Sequence, residues 1–243
     1  MIQIIITRKC NFRCSHCMWA CDSSGLHMPW EVFCRALEYA KKARAADLIG
    51  GEPTLQPHFA EMVSECSQAV STMRIATNGS WVTNRRLNKT VSVAIREASA
   101  KLGKDNLYVR LSEDKWHRRF QRDVTADGVY CALWDWCTLY SDHGEGVVYP
   151  IGRAAEGEAY EHAMRHGYHT APAECTKGEY SFWCNASIDV DGSVSPCPHH
   201  QAVCGNIMTD SMITLRRRAE RFIARRRILA PTNSDCARCA QLV

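Results

Sequence analysis

Cys10-Asn-Phe-Arg-Cys14-Ser-His-Cys17 is the stretch on which the reading of this chain turns. It follows an apolar, β-branched run, Ile2-Gln-Ile-Ile-Ile6, so the three thiols fall in a loop at the carboxyl end of a buried strand. A structural [4Fe–4S] cluster is normally held by four cysteines, whereas three hold three of its irons and leave the fourth open to another ligand. Two other chemistries also use neighbouring thiols. A zinc site needs a fourth ligand, which His16 or Cys21 can supply. A disulfide frame needs an oxidising compartment.

Outward from this loop, strand and helix patterns alternate. A helix over residues 30–44 follows Pro29, whose fixed φ suits a first turn. Strands are predicted at 46–49, 73–77, 107–111 and 146–150. Helices are predicted over 57–71, 84–102 and 155–165, with two short ones filling 115–140. Such alternation makes a parallel sheet with right-handed crossovers. The residues that bear chemistry sit at the carboxyl ends of successive strands: Cys10 to Cys17, Gly50-Gly51-Glu52-Pro53, Thr77-Asn78-Gly79, Ser112-Glu113-Asp114 and Pro150-Ile-Gly-Arg153. In barrels and open α/β sheets that edge carries the ligands.

The C-x3-C-x2-C spacing after a first strand, with Gly50-Gly51-Glu52-Pro53 after the second, resembles the signature of the radical S-adenosylmethionine (radical SAM) superfamily. The resemblance implies that Cys10, Cys14 and Cys17 hold a [4Fe–4S] cluster whose open iron chelates SAM. One electron then cleaves SAM to a 5′-deoxyadenosyl radical. The Gly-Gly-Glu-Pro segment matches the motif that holds the SAM amino group, and glycines let backbone carbonyls approach an ammonium closely. His16 stands where the family places an aromatic residue against the adenine. Thr77, Asn78, Ser112 and Glu113 stand where relatives contact the SAM carboxylate and ribose. Arg153 is positioned to bind a carboxylate or phosphate at the rim. Each has a plainer reading: Thr77-Asn78-Gly79 is also ordinary turn chemistry, His16 a loop histidine, and Arg153 the start of a helix.

Beyond Gly167 the texture changes. Residues 182–190 alternate like a strand, Asp191-Gly192 is a turn signal, and a returning strand leads to Cys197. A basic amphipathic helix over 212–229 and a late Cys236-Ala-Arg-Cys239 follow. This order resembles the twitch subdomain, a short form of the SPASM domain that holds an auxiliary [4Fe–4S] cluster behind some radical SAM barrels. Cys197, Cys236 and Cys239 map onto its ligands, with either Cys184 or Cys175 as the first; Cys184 is preferred because it borders the hairpin. The same thiolates can also make a zinc knuckle. The arginines of the last helix read as a solvated face.

The expected architecture is a partial (β/α)6 TIM-like barrel over residues 1–170, followed by a small α+β twitch-like subdomain over 171–243. No apolar run approaches the length of a membrane span, and the start MIQIIITRKC has neither a basic n-region nor a cleavage site. Fourteen cysteines in metal-type spacings fit reduced thiols ligating iron in the cytoplasm better than a disulfide frame. The net charge of +4 is too mild to argue for nucleic acid. The expected activity is hydrogen abstraction from a C–H of a peptide or small natural-product substrate, with net oxidation through the auxiliary cluster. Electrons would come from a flavodoxin or ferredoxin. Two alternatives stand beside it: an epimerase with Cys131, Cys137 or Cys204 as hydrogen donor, and a cysteine-rich zinc-binding interaction module.

Overall fold

β1 (Ile2–Thr7) is the strand from which the sheet grows on both sides. With β2 (Ala45–Gly50) parallel to it on one side and β6 (Ser187–Ile188) parallel on the other, both of its edges are paired, and elements packed above and below cover its two faces. Ile2, Ile4, Ile5 and Ile6 are accordingly all fully buried, which is why its sequence is a run rather than an alternation. The computed structural model describes residues 1–121, 126–133, 135–142, 157–165, 181–197 and 202–229.

Helix α1 (Trp30–Ala43) returns the chain from β1 to β2, and α2 (Phe59–Ala69) leads to β3 (Thr72–Thr77). Helix α3 (Arg85–Leu102) leads in turn to β4 (Leu107–Ser112). Arg44 ends α1 in the left-handed region at φ 57°, its N–H bonded to the Lys41 carbonyl. Asn84 caps α3, its Oδ1 accepting the N–H groups of Arg86 and Leu87 at 3.1 Å each. Short helices α4 (Lys115–Arg118) and α5 (Ala126–Leu133) precede β5 (Thr138–Asp142), and α6 (Gly157–Arg165) follows it. β1 to β5 lie side by side in chain order, all parallel.

The C-terminal part extends the same sheet. Helix α7 (Phe182–Asn185) and β6 lead to β7 (Ser193–Ser195) and β8 (Gly205–Asn206), both antiparallel to their neighbours, and then to α8 (Met212–Leu229). The sheet order is β5-β4-β3-β2-β1-β6-β7-β8. Leu215, Ala219 and Ile223 of α8 are buried at four-residue spacing while Arg216, Arg217 and Arg221 are exposed, the solvated face that the sequence suggests.

This is the α/β, parallel-dominated architecture expected, with two local differences. The pattern places residues 138–140 at the end of a helix, yet they open β5, pairing with Tyr108, Val109 and Arg110 of β4. Thr138, Leu139 and Tyr140 are strand-favouring types, and the partner strand overrides a short helical pattern. Residues 182–185 form a helical turn rather than strand. Phe182 and Ala186 are both fully buried, and a spacing of four suits one face of either element; Phe182 settles beside Tyr39 of α1, ring centroids 6.4 Å apart. The strand predicted at 146–150 and the boundary at 170 lie outside the described residues.

Candidate radical site at the carboxyl ends of the strands

The cysteine loop is built onto the ends of β1 and β2 by backbone pairing that outlasts the strands. Gly51 N–H donates to the Thr7 carbonyl at 2.8 Å, and Glu52 N–H to the Lys9 carbonyl at 2.9 Å. The approach is so close that a Cβ on Gly50 would stand 2.1 Å from the Thr7 oxygen. One on Gly51 would stand 2.3 Å from the Lys9 oxygen and 2.9 Å from the Cys10 Cβ. The glycines are therefore needed against this chain's own loop, a packing demand that the sequence pattern does not reveal. On the other side, Cys10 N–H donates to the Asp22 carbonyl at 2.7 Å. Phe12 N–H points to the Cys10 Sγ at 3.3 Å, and Cys21 N–H to the Cys17 Sγ at 3.4 Å. Cys10 and Cys14 are buried and Cys17 is half-buried. Burial pushes the Cys10 thiol up to about 12, with Glu52 and Cys17 adding to it. Metal loading must therefore displace a proton there.

Glu52 is fully buried and joins three strand ends. Its Oε1 accepts the Thr54 hydroxyl at 2.7 Å, the Thr77 hydroxyl at 2.8 Å and Thr54 N–H at 3.2 Å, while Oε2 accepts Asn78 N–H at 2.7 Å. Burial raises its pKa, and these bonds oppose the rise. Asn78 Nδ2 then reaches the Asn11 Oδ1 at 3.0 Å and the Cys10 Sγ at 3.9 Å. Gln121 Nε2 closes the rim from β3 to β4 through the carbonyls of Asn78 at 2.7 Å and Ser112 at 2.8 Å. The carboxylate thus positions Thr77 and Asn78 beside the loop. Glu52→Gln is expected to lower stability by about 1–3 kcal/mol. In either orientation of the amide its NH2 meets a backbone N–H, that of Asn78 or that of Thr54, and thermal unfolding of the two proteins measures the loss.

His16 packs against the end of β4. Its ring stacks on Trp116 at 5.8 Å and meets His117 edge-on at 4.7 Å, and its Nε2 lies 3.7 Å from the Asp114 Oδ2. Asp114 caps α4 through Oδ1, which accepts the N–H groups of Trp116 at 2.9 Å and His117 at 3.1 Å. Burial would raise the Asp114 pKa, but the bond and charge of His117 and the charge of His16 outweigh it and hold the carboxyl below its usual range. Sequence reasoning placed Asp114 at the rim with Ser112 and Glu113 but gave it no role, and missed Trp116, His117, Gln121 and Asn11. The Asp-x-x-His spacing across a cap was the available signal.

Arg8 links the loop to the C-terminal part. Its guanidinium makes a two-point pair with Asp189, just past β6, and also donates to the Trp19 carbonyl at 2.9 Å. Cys184 on α7 and Cys197 after β7 lie past the same end of the β6–β7 pair, away from the Gly192 turn, since Ser187 pairs with Ser195. Cys137 sits at the amino end of β5 and Cys131 in the preceding last turn of α5, at the rim opposite the loop. Burial pushes the Cys137 thiol up to about 12. Cys204 directs its Sγ to the Val194 carbonyl at 3.2 Å, and burial pushes it up to about 11. Arg153, Cys175, Cys236 and Cys239 lie outside the described residues.

Three thiols in one loop, walled by glycines that admit no Cβ and by backbone N–H groups aimed at sulfur, suit a thiolate-held cluster. Residues 4–109 match the family model of the radical SAM superfamily, and residues 175–240 match that of the SPASM iron–sulfur cluster-binding domain. The chain thus carries matches to both a radical SAM domain and a SPASM domain. A radical SAM domain implies a [4Fe–4S] cluster and SAM, and the SPASM domain an auxiliary iron–sulfur cluster. Two solved structures share the fold. BtrN in complex with AdoMet and 2-DOIA aligns with a TM-score of 0.57 at 13% identity, over 96% of this chain and 90% of that one. Native anSMEcpe with bound AdoMet aligns with a TM-score of 0.51 at 15% identity, over 92% and 83%. The tungsten-containing aldehyde ferredoxin oxidoreductase cofactor-modifying protein of Pyrococcus furiosus is 32% identical over 101 residues. That match takes in 39% of this chain and spans only 28% of the relative. No helix among the described residues is long and apolar enough to cross a membrane.

Proposed function

We propose that this radical SAM protein abstracts a hydrogen atom from a C–H of a peptide or small natural-product substrate and oxidises that substrate by two electrons. Bound, the first cluster and SAM supply a 5′-deoxyadenosyl radical, and the auxiliary cluster supplies an electron acceptor. The chain's own part is placement. Cys10, Cys14 and Cys17 hold the first cluster; Cys197, Cys236 and Cys239, with Cys184, hold the second. Gly50, Gly51, Glu52 and Pro53 border the SAM amino group and His16 its adenine, Thr77, Asn78, Ser112 and Glu113 border the carboxylate and ribose, and Arg153 binds a carboxylate or phosphate at the rim. The Arg8–Asp189 pair keeps the two regions in fixed relation. The protein works in the cytoplasm on electrons from a flavodoxin or ferredoxin.

The observation that carries oxidation over epimerisation is the placement of the spare thiols. An epimerase needs a cysteine that returns a hydrogen atom at the radical site, but Cys131 and Cys137 lie at the opposite rim and the Cys204 sulfur is held at Val194. The test is untargeted mass spectrometry of peptide and metabolite extracts incubated in D2O with reconstituted protein, SAM and dithionite. Oxidation yields a product two mass units lighter that carries no deuterium on the attacked carbon. A product of substrate composition bearing one carbon-bound deuterium would overturn this reading.

A further inference from the structure

We propose that His16, Asp114 and His117 form a binding site for one divalent transition-metal ion of the zinc class, which clasps the cysteine loop to the carboxyl end of β4. The inference rests on these side chains alone and stands whether or not the radical reading is correct. One ligand atom from each residue lies within 4.8 Å of the others. The Asp114 Oδ2 stands 2.9 Å from the His117 Nδ1 and 3.7 Å from the His16 Nε2. Ligand bonds of about 2.0–2.1 Å at tetrahedral angles put ligand atoms about 3.3 Å apart, so each Asp114 distance changes by roughly 0.4 Å, and the two ring nitrogens, within 4.8 Å of each other, close by at most about 1.5 Å, to bring the three onto one ion.

The donor chemistry selects the ion. Two imidazoles and one carboxylate suit zinc and its first-row neighbours, and disfavour magnesium and calcium, which take oxygen sets. The supports are already in place. The Asp114 Oδ1 is held by two N–H groups at the start of α4, which leaves Oδ2 facing the rings. Trp116, 1% exposed, backs the His16 ring. The cationic heads over Trp116 are directed elsewhere: Lys115 to the His162 Nδ1 at 3.2 Å and Arg119 to Glu158 at 3.0 Å. The three side chains are 14%, 8% and 17% exposed, enough for solvent to complete the coordination. The ion binds in the plane of the imidazole, so a face of His16 stays available for stacking. Loading replaces the proton shared by His117 and Asp114.

The experiment is metal analysis of the anaerobically reconstituted protein after exposure to zinc chloride, desalting and a chelator wash, together with zinc-edge X-ray absorption. The expected result is about one retained zinc per chain, with nitrogen and oxygen neighbours only. His117→Gln and Asp114→Asn lose it while keeping the wild-type iron content. Asp114→Asn retains an Oδ1 cap for α4, so a fold defect in one variant leaves the other to decide. Zinc with sulfur neighbours, captured by an exposed thiol such as Cys34, overturns the proposal. So does zinc that survives both substitutions, or no retained zinc at all. A failure of the radical reading shows separately, as missing iron or missing SAM cleavage in the wild-type protein.

Discussion

Replacing Cys10, Cys14 and Cys17 together with alanine is expected to remove about half of the iron from the reconstituted protein and all of its 5′-deoxyadenosine formation. The loop itself should survive, because its path is set by main-chain bonds that alanine leaves alone: Gly51 to Thr7, Glu52 to Lys9 and Cys10 to Asp22. The bonds to sulfur that disappear with the thiols are weak ones, from the N–H groups of Phe12 and Cys21. Iron held by the C-terminal cysteines should remain, because Cys184 and Cys197 stand on α7 and after β7, elements that do not depend on the loop thiols. Iron counting before and after reconstitution, with chromatography of the dithionite reaction, reads both quantities. A triple variant that still cleaved SAM reductively would remove the basis for the proposed function.

The sequence made β1 to β4 legible because each is a short apolar or alternating segment closed by residues that cannot continue it. The rim was legible for the same reason: Cys10 lies just past β1, Gly50, Thr77 and Ser112 close β2, β3 and β4, and parallel topology brings such ends together. Less legible was anything decided by a partner distant in sequence. β5 forms where β4 offers an edge. Residues 182–185 coil because Phe182 finds Tyr39. Glu52 illustrates the limit at the site. Its position within Gly50-Gly51-Glu52-Pro53 suggests a negative charge facing a ligand. Its surroundings show a carboxylate with four protein donors, two of them on residues 25 and 26 positions away. Spacing identifies the segment; only the tertiary contacts show which way the side chain turns. The Asp114–His117 pair was hidden differently, since a helix cap three residues before a histidine is commonplace until a third ring arrives from the cysteine loop.

Gly51→Ala is expected to empty the first cluster site with all three of its cysteines left in place. The added methyl would lie 2.3 Å from the Lys9 carbonyl oxygen and 2.7 Å from its carbon. Both are backbone atoms on the segment that carries Cys10, so no side-chain rotation relieves the overlap. The chain has to separate the end of β2 from the loop. That breaks the Glu52 N–H bond to Lys9 at 2.9 Å and strains the Gly51 bond to Thr7 at 2.8 Å. Overpacking costs about 1–3 kcal/mol and each broken hydrogen bond about 1 kcal/mol, so a total of roughly 2–5 kcal/mol is expected. At about 2–4 °C per kcal/mol for a domain of this size, the melting temperature should fall by roughly 4–20 °C. Displacement of Lys9 moves Cys10 against Cys14 and Cys17, and a cluster held by three sulfurs tolerates no change in their relative placement. The reconstituted variant should therefore retain the auxiliary iron and lose the rest, reproducing the iron content of the triple-cysteine variant with every cysteine present. Full iron loading at an unchanged melting temperature would show that the loop can step back from Gly51, and that the glycine serves the ligand rather than the packing of the chain.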